Sequence, residues 1–139
     1  MILRQATESD IPAMHRVRLA VRENTLSDPH RITVAEYAAA LEDSGRTWVI
    51  EMDGEVVAFA TGYKTGNIWA LFVHPDHEGR GYGKTLHSTM IAWLWSLGLS
   101  ALWLTTAPGS RAERFYISQG WLPCGIVSSG ELRLELAAP

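Results

Sequence analysis

Between the apolar run Ile68-Trp69-Ala70-Leu71-Phe72-Val73 and a helical stripe of Leu86, Met90, Trp93, Leu94 and Leu97 lies the segment His74-Pro75-Asp76-His77-Glu78-Gly79-Arg80-Gly81-Tyr82-Gly83-Lys84. Pro75 ends the strand, because it has no N–H to give a ladder. Three alternating glycines then carry the backbone into a helix with no Cβ atoms in the way. Such a turn lets main-chain amides approach an anion closely. The helix that follows adds its unpaired N–H groups and the positive end of its dipole. Phosphate is the expected guest, with Arg80 and Lys84 placed to add cationic contacts.

Spacing separates the loops that bind phosphate this way. A Walker loop needs glycine five residues before Gly83, where Glu78 stands, and the later strand Leu102 to Thr105 lacks a terminal aspartate for magnesium. Gly83-Lys84-Thr85 is therefore a chance near-match. A dinucleotide fold needs Gly-x-Gly-x-x-Gly and an acidic residue about twenty positions on. This chain has Gly-x-Gly-x-Gly followed by an apolar region.

The remaining elements follow from periodicity and breakers. A short strand is expected at Ile2 to Gln5. Ser9-Asp10 caps a helix striped by Ile11, Met14, Val17 and Val21, with Pro12 in its first turn. Thr33-Val34-Ala35-Glu36 is a capping box that opens a second helix running to about Ser44 and stopped by Gly45. Trp48 to Glu51 and Val56 to Tyr63 flank Asp53-Gly54 as a hairpin, and Ile68 to Val73 is the next strand. After the glycine turn and its helix, closed by Gly98, come a buried strand at Leu102 to Thr105, a helix at Arg111 to Gln119 and a strand at Leu132 to Leu136. The order is mixed α/β in a single domain, residues 1–139, without repeats or linkers.

Composition excludes several roles. The 139 residues carry a formal charge of −3, with no basic excess for nucleic acid or an anionic membrane surface, and 47% hydrophobic residues, enough for one ordinary core. The longest apolar run, Met90 to Leu104, is interrupted by Ser96, Gly98 and Ser100 and is too short to span ~30 Å of hydrocarbon. Met1-Ile2-Leu3-Arg4-Gln5 lacks the pattern of a secretion signal, and Cys124 is the single cysteine, so a cytoplasmic location is expected. His74 and His77 are a poor zinc set, and no metal is expected. The six tryptophans read mostly as core.

The residues Val73, Pro75, Gly81 and Gly83 resemble the central motif of the GNAT superfamily of acetyltransferases, and Ala112-Glu113-Arg114-Phe115-Tyr116 with Gly120-Trp121 resembles a second motif of that family downstream. The resemblance runs from about Ile68 to Trp121. It implies a mixed, mostly antiparallel sheet flanked by helices, with the strands Ile68–Val73 and Leu102–Thr105 splayed apart. It implies acetyl-CoA as co-substrate, the pantetheine arm lying along Leu71, Phe72 and Val73. The pyrophosphate would meet Gly79, Arg80, Gly81, Tyr82, Gly83 and Lys84, with Thr85 beside them. The family usually carries Gln or Arg where Glu78 stands, a charge that neighbouring Arg80 is expected to offset, and often an asparagine where Gly109 stands.

Acetyl transfer to a primary amine needs a neutral nucleophile, a polarised carbonyl and a proton for the departing thiolate. Tyr116 suits the last role, since a phenol of pKa near ~10 stays protonated at neutral pH and can donate to a thiolate of pKa about 8.5. The carbonyl is expected to be polarised by a backbone N–H of Phe72 or its neighbour. Family members often place a glutamate where this chain has Asn67. Glu23 is then the candidate base, with a water held by Asn67 and Thr105 as the alternative. Arg22, Asn24, Ser27 and Asp28, between the first two helices, are expected to line the acceptor site with Asn67 and Trp69. The acceptor is a small-molecule or peptide amine, and homodimers are common in the family. The rival reading is a CoA-binding regulatory module without turnover.

Overall fold

The structure is a computed structural model that describes every residue except Ser27 and Glu42. Strands β1 (Ile2–Gln5), β2 (Gly45–Met52), β3 (Glu55–Tyr63) and β4 (Ile68–Val73) pair antiparallel in that order. Strands β5 (Ala101–Thr106), β6 (Leu122–Ile126) and β7 (Leu132–Ala137) form a second antiparallel sheet, ordered β5-β7-β6. Among the described residues four α-helices flank them: α1 (Ile11–Ala20), α2 (Val34–Ala39), α3 (Tyr82–Ser96) and α4 (Arg111–Ser118).

Alternation along the strands sends side chains to two cores. Ile50, Ala58 and Ala60 face α3, whose Leu86, Met90 and Leu94 also reach Leu102, Leu104 and Leu134 of the second sheet. Val49, Phe59 and Ala70 face α1 and α2, meeting Ile11, Met14, Val17 and Tyr37. At ~1.5–3 kcal/mol for each large apolar side chain fully buried, α3 is the bolt that holds the sheets side by side. The first strand is anchored separately, by Arg4 donating to both Asp10 oxygens (2.8 and 2.9 Å) and to Glu51 (2.9 Å).

The two sheets touch at one end. Asn67 and Trp103 form an isolated parallel bridge, the Trp103 amide donates to the Gly66 carbonyl (3.0 Å), and Asn67 Nδ2 reaches the Trp103 carbonyl (3.4 Å). Beyond that vertex no ladder joins β4 to β5 among the described residues, so the strands diverge as expected. β4 also carries a bulge. Thr61 pairs with Ala70 and Gly62 with Ile68, leaving Trp69 as the extra residue.

Three local expectations are corrected. α2 ends at Ala39, well before Ser44, and Gly45 opens β2 instead of closing a helix. It pairs with Tyr63 so closely that a Cβ there would run into the Gly62 carbonyl. Asp10 stands at the N-cap of α1 as expected, but its side chain does not cap that helix: it accepts from the Thr7 amide (2.8 Å) in the capping box of a short 3-10 turn that precedes α1. The exposed edge strand β6 was not expected, because Pro123 and Gly125 interrupt it. No helix among the described residues is long and apolar enough to cross a membrane.

Gly66 sits at φ +99°, and a Cβ there would lie 2.9 Å from the Ala101 carbonyl oxygen. Gly66→Ala is expected to lower stability by about 1–3 kcal/mol, read as a lower urea midpoint, by wedging the vertex open.

Candidate active site

The divergence of β4 from β5 opens two adjoining cavities. The first, of about 460 Å³, is lined by Leu71, Phe72, Val73, Gly79, Gly81, Tyr82, Gly83 and Lys84, with Arg22 and Glu23 on its other side. The second, of about 750 Å³, is lined by Asn67, Trp69, Tyr37, Thr105, Glu36 and Glu131 among others. Asn24, Leu71, Phe72, Ala112 and Tyr116 belong to both and form the wall between them.

The floor of the first cavity is backbone. Gly79 and Gly81 take positive φ (75° and 81°), Gly81 being the N-cap of α3, and a Cβ on either would meet nothing within 4 Å. Their value is therefore conformational, since that region of φ strains any residue with a side chain. The amides from Gly79 to Lys84 have no intramolecular acceptor among the described residues. They converge on the positive end of the longest helix, the arrangement that suits a pyrophosphate.

The edge of β4 supplies a second set of donors. The His74 amide donates to the Val57 carbonyl (2.8 Å), which fixes the phase of the antiparallel ladder. By alternation, Phe72 and Ala70 turn their peptide groups toward β3, whereas Leu71 and Val73 turn theirs to the open edge. Of the amides considered for the carbonyl, the neighbours of Phe72 are thus the ones available. An extended, amide-bearing arm fits that edge as an added strand.

Arg80 and Thr85 do not line either cavity. Arg80 Nη1 lies 3.2 Å from His77 Nδ1, and the Thr85 hydroxyl donates to the Gly81 carbonyl (3.0 Å). The charge of Glu78 is met by Arg111, whose Nη1 donates to Oε2 at 2.7 Å, and not by Arg80. Nothing in the sequence spacing pointed to that pairing of residues 33 positions apart.

The segment after α1 divides. Glu23 Oε2 accepts from the Arg111 amide (2.8 Å), and Asn24 Oδ1 accepts from the Ala107 amide (3.1 Å). Together they peg this segment to the loop between β5 and α4. Glu23 and Arg22 line the first cavity and are absent from the second, where an acceptor would sit. Asp28 lines neither and accepts from the His30 amide (2.9 Å). Ser27 lies outside the described residues.

Tyr116 is held by an aromatic box. Its ring centroid lies 5.3 Å from Phe115, 5.4 Å from Trp121 and 6.1 Å from His87, and 6% of the residue is exposed. Burial pushes its phenol above the ordinary value of 10, so it keeps its proton at any neutral pH. His87 holds the box together by accepting from Trp121 Nε1 (3.0 Å), and burial pushes it down to about 4, so it is neutral.

A sequence profile described as the Acetyltransferase (GNAT) family matches residues 11–121. The chain belongs to that family. Over 87 residues it is 39% identical to the mycothiol acetyltransferase of Amycolatopsis mediterranei, covering 57% of this chain and 27% of that protein. Over 75 residues it is 33% identical to the L-2,4-diaminobutyric acid acetyltransferase of Nocardia farcinica, covering 50% and 39%. The chain thus spans well under half the length of these relatives. The PaiA N-acetyltransferase of Thermoplasma acidophilum, solved in complex with coenzyme A, superposes with a TM-score of 0.84 at 11% identity over 99% of this chain and 98% of that one. That likeness shows the GNAT fold, including the antiparallel sheets flanked by helices.

The position of His87 in the GNAT fold makes stability depend on pH. Its folded value is depressed below the ordinary 6.5, so between about pH 6.5 and 4 the unfolded chain binds a proton that the folded chain refuses. Stability is full above that window and falls within it, by on the order of 3 kcal/mol. His87→Gln, which keeps an acceptor for Trp121, is expected to flatten this slope in urea midpoints measured from neutral pH downward.

Proposed function

We propose that the protein is an acetyl-CoA-dependent N-acetyltransferase that passes an acetyl group to the primary amine of an acceptor by direct attack on the thioester. The observation that carries this reading is the place of Tyr116, a buried, protonated phenol on the wall shared by the amide cradle and the second cavity. Bound acetyl-CoA would supply an activated acetyl group. The amides of Gly79 to Lys84, unpartnered among the described residues, and the open edge of β4 fit its pyrophosphate and its arm.

Residue roles follow from the two cavities. Lys84 adds a cation to the cradle, and the Leu71 or Val73 amide is positioned to polarise the thioester carbonyl. Tyr116 donates its proton to the departing thiolate. Asn67 and Trp69 line the acceptor cavity, Trp69 packing edge-on against Tyr37 at 5.6 Å. Glu23, pegged to the Arg111 amide on the cofactor side, is ill placed to take the amine proton. Glu36 and Glu131 are the carboxylates of the acceptor cavity, and Thr105 Oγ1 lies 3.4 Å from Glu131.

Calorimetric titration with acetyl-CoA, with ATP and NAD as controls, is expected to show saturable binding of acetyl-CoA alone. Amines should then release free CoA thiol, and Tyr116→Phe should lower kcat about 10²–10⁴-fold with acetyl-CoA affinity kept. Binding without amine-dependent thiol release would instead support a regulatory CoA-binding module. Arg111→Ala, which leaves Glu78 facing the phosphates alone, is expected to weaken acetyl-CoA binding several-fold, and adding Glu78→Gln should restore it. Equal affinity in all three proteins would show that Glu78 lies outside the phosphate field.

A further inference from the structure

The sequence stripe of α1 hides a charge. Arg18 follows Met14 by four residues and Ile11 by seven, which puts it on the buried face of the helix. It is 9% exposed and lines the acceptor cavity. Its Nη1 is sealed from solvent and has no hydrogen-bond partner among the described residues. Its ζ carbon stacks 4.4 Å above the Phe72 ring, which is part of the wall between the cavities.

A guanidinium cannot shed its charge to escape burial. Desolvation lowers its pKa; Tyr37 opposes that shift, and Arg31, which lines the same cavity, adds a smaller lowering influence. Stacking on Phe72 compensates in part. It leaves Nη1 without a hydrogen-bond partner among the described residues, and a buried charge so poorly paired is expensive for the fold to keep. Every other aspect of the α1 face is apolar or paired, as with His15, whose Nδ1 is 2.8 Å from the Tyr37 hydroxyl.

We propose that Arg18 is the anchor for a carboxylate on the acceptor, so that the substrates of this site are amino-acid-like amines carrying both an ammonium and a carboxylate. The inference rests on the acetyltransfer reading and narrows it. Although Nη1 is sealed, Arg18 lines the cavity with the rest of its exposed surface, and the N–H groups it presents there suit a carboxylate with charge-assisted hydrogen bonds. Glu36 and Glu131 in the same cavity suit the ammonium and would repel a doubly charged anion such as a phosphate monoester. Phe72 carries Arg18 on its ring and adjoins the strand positions that face the thioester arm. An acceptor gripped there has its amine a few bonds from the reacting carbon.

The test compares pairs that differ only by the carboxylate: lysine with cadaverine, alanine with ethylamine, tyrosine with tyramine. In thiol-release assays the wild-type protein should prefer the acid member of at least one pair by roughly tenfold to a hundredfold in kcat/KM. Arg18→Met, which keeps the apolar stem, should bring that ratio toward one through KM, and Arg18→Lys should recover part of it. Acetyl-CoA titration of each variant confirms the folded cradle and tests the broader reading separately. If no amine is turned over, calorimetry with the same acids in the presence of CoA decides: binding that Arg18→Met abolishes supports the anchor. Equal use of both members of every pair, equal loss for both in Arg18→Met, or no binding of any acid overturns it.

Discussion

The structure depends on one failure of pairing. β4 and β5 meet at Asn67 and Trp103 and then part, although each has a free edge that a continuous sheet would use. An open edge of this sort leaves N–H and C=O groups unpaired, which a protein tolerates where water or a ligand takes them up. The sheets stay together because α3 spans both with Leu86, Met90 and Leu94. The vertex fixes their angle, through Gly66 and Asn67. The open edge of β4, the cavity over the glycine turn and the second cavity beside it are all consequences of that V.

Charge is distributed over the V with the same economy. In the proposed cradle, backbone amides and Lys84 would face the anion, and the charge of Glu78 in the same cavity is offset from outside the turn. Arg111 offsets it from the start of α4. The next residues of that helix bring Ala112 and Tyr116 to the dividing wall, so one short helix serves both the charge balance and the chemistry proposed for the site. Its amide at Arg111 is capped in turn by Glu23, which ties the loop after α1 to the same point.

Those parts of the fold that rest on local pattern were legible in the sequence. The bounds of β4 coincide with the run Ile68 to Val73, and the glycine turn with its helix stands where alternating glycines and the Leu86, Met90, Leu94 stripe put it. What was missed depends on tertiary contact. Gly45 reads as a helix stop, yet its lack of a Cβ serves a close strand pairing with Tyr63. β6 is hidden by Pro123 and Gly125, which an edge strand tolerates and an inner one does not. The partner of Glu78 is distant in sequence, and Arg18 is one cation in a stripe whose neighbours are apolar. A charged residue at four-residue spacing from Met14 was the available signal.

The extra residue at Trp69 has a consequence for how such a site can diversify. Ahead of it the carbonyl of Gly66 faces β5; behind it, the peptide groups of Leu71 and Val73 face the gap, and Phe72 is turned to the α1 side. A straight strand would exchange these assignments, because side chains and peptide groups alternate with a period of two. Insertion or loss of a single residue at this point therefore acts as a parity switch. Descendants of one gene could swap which residues grip the arm and which greet the acceptor while inheriting an unaltered scaffold.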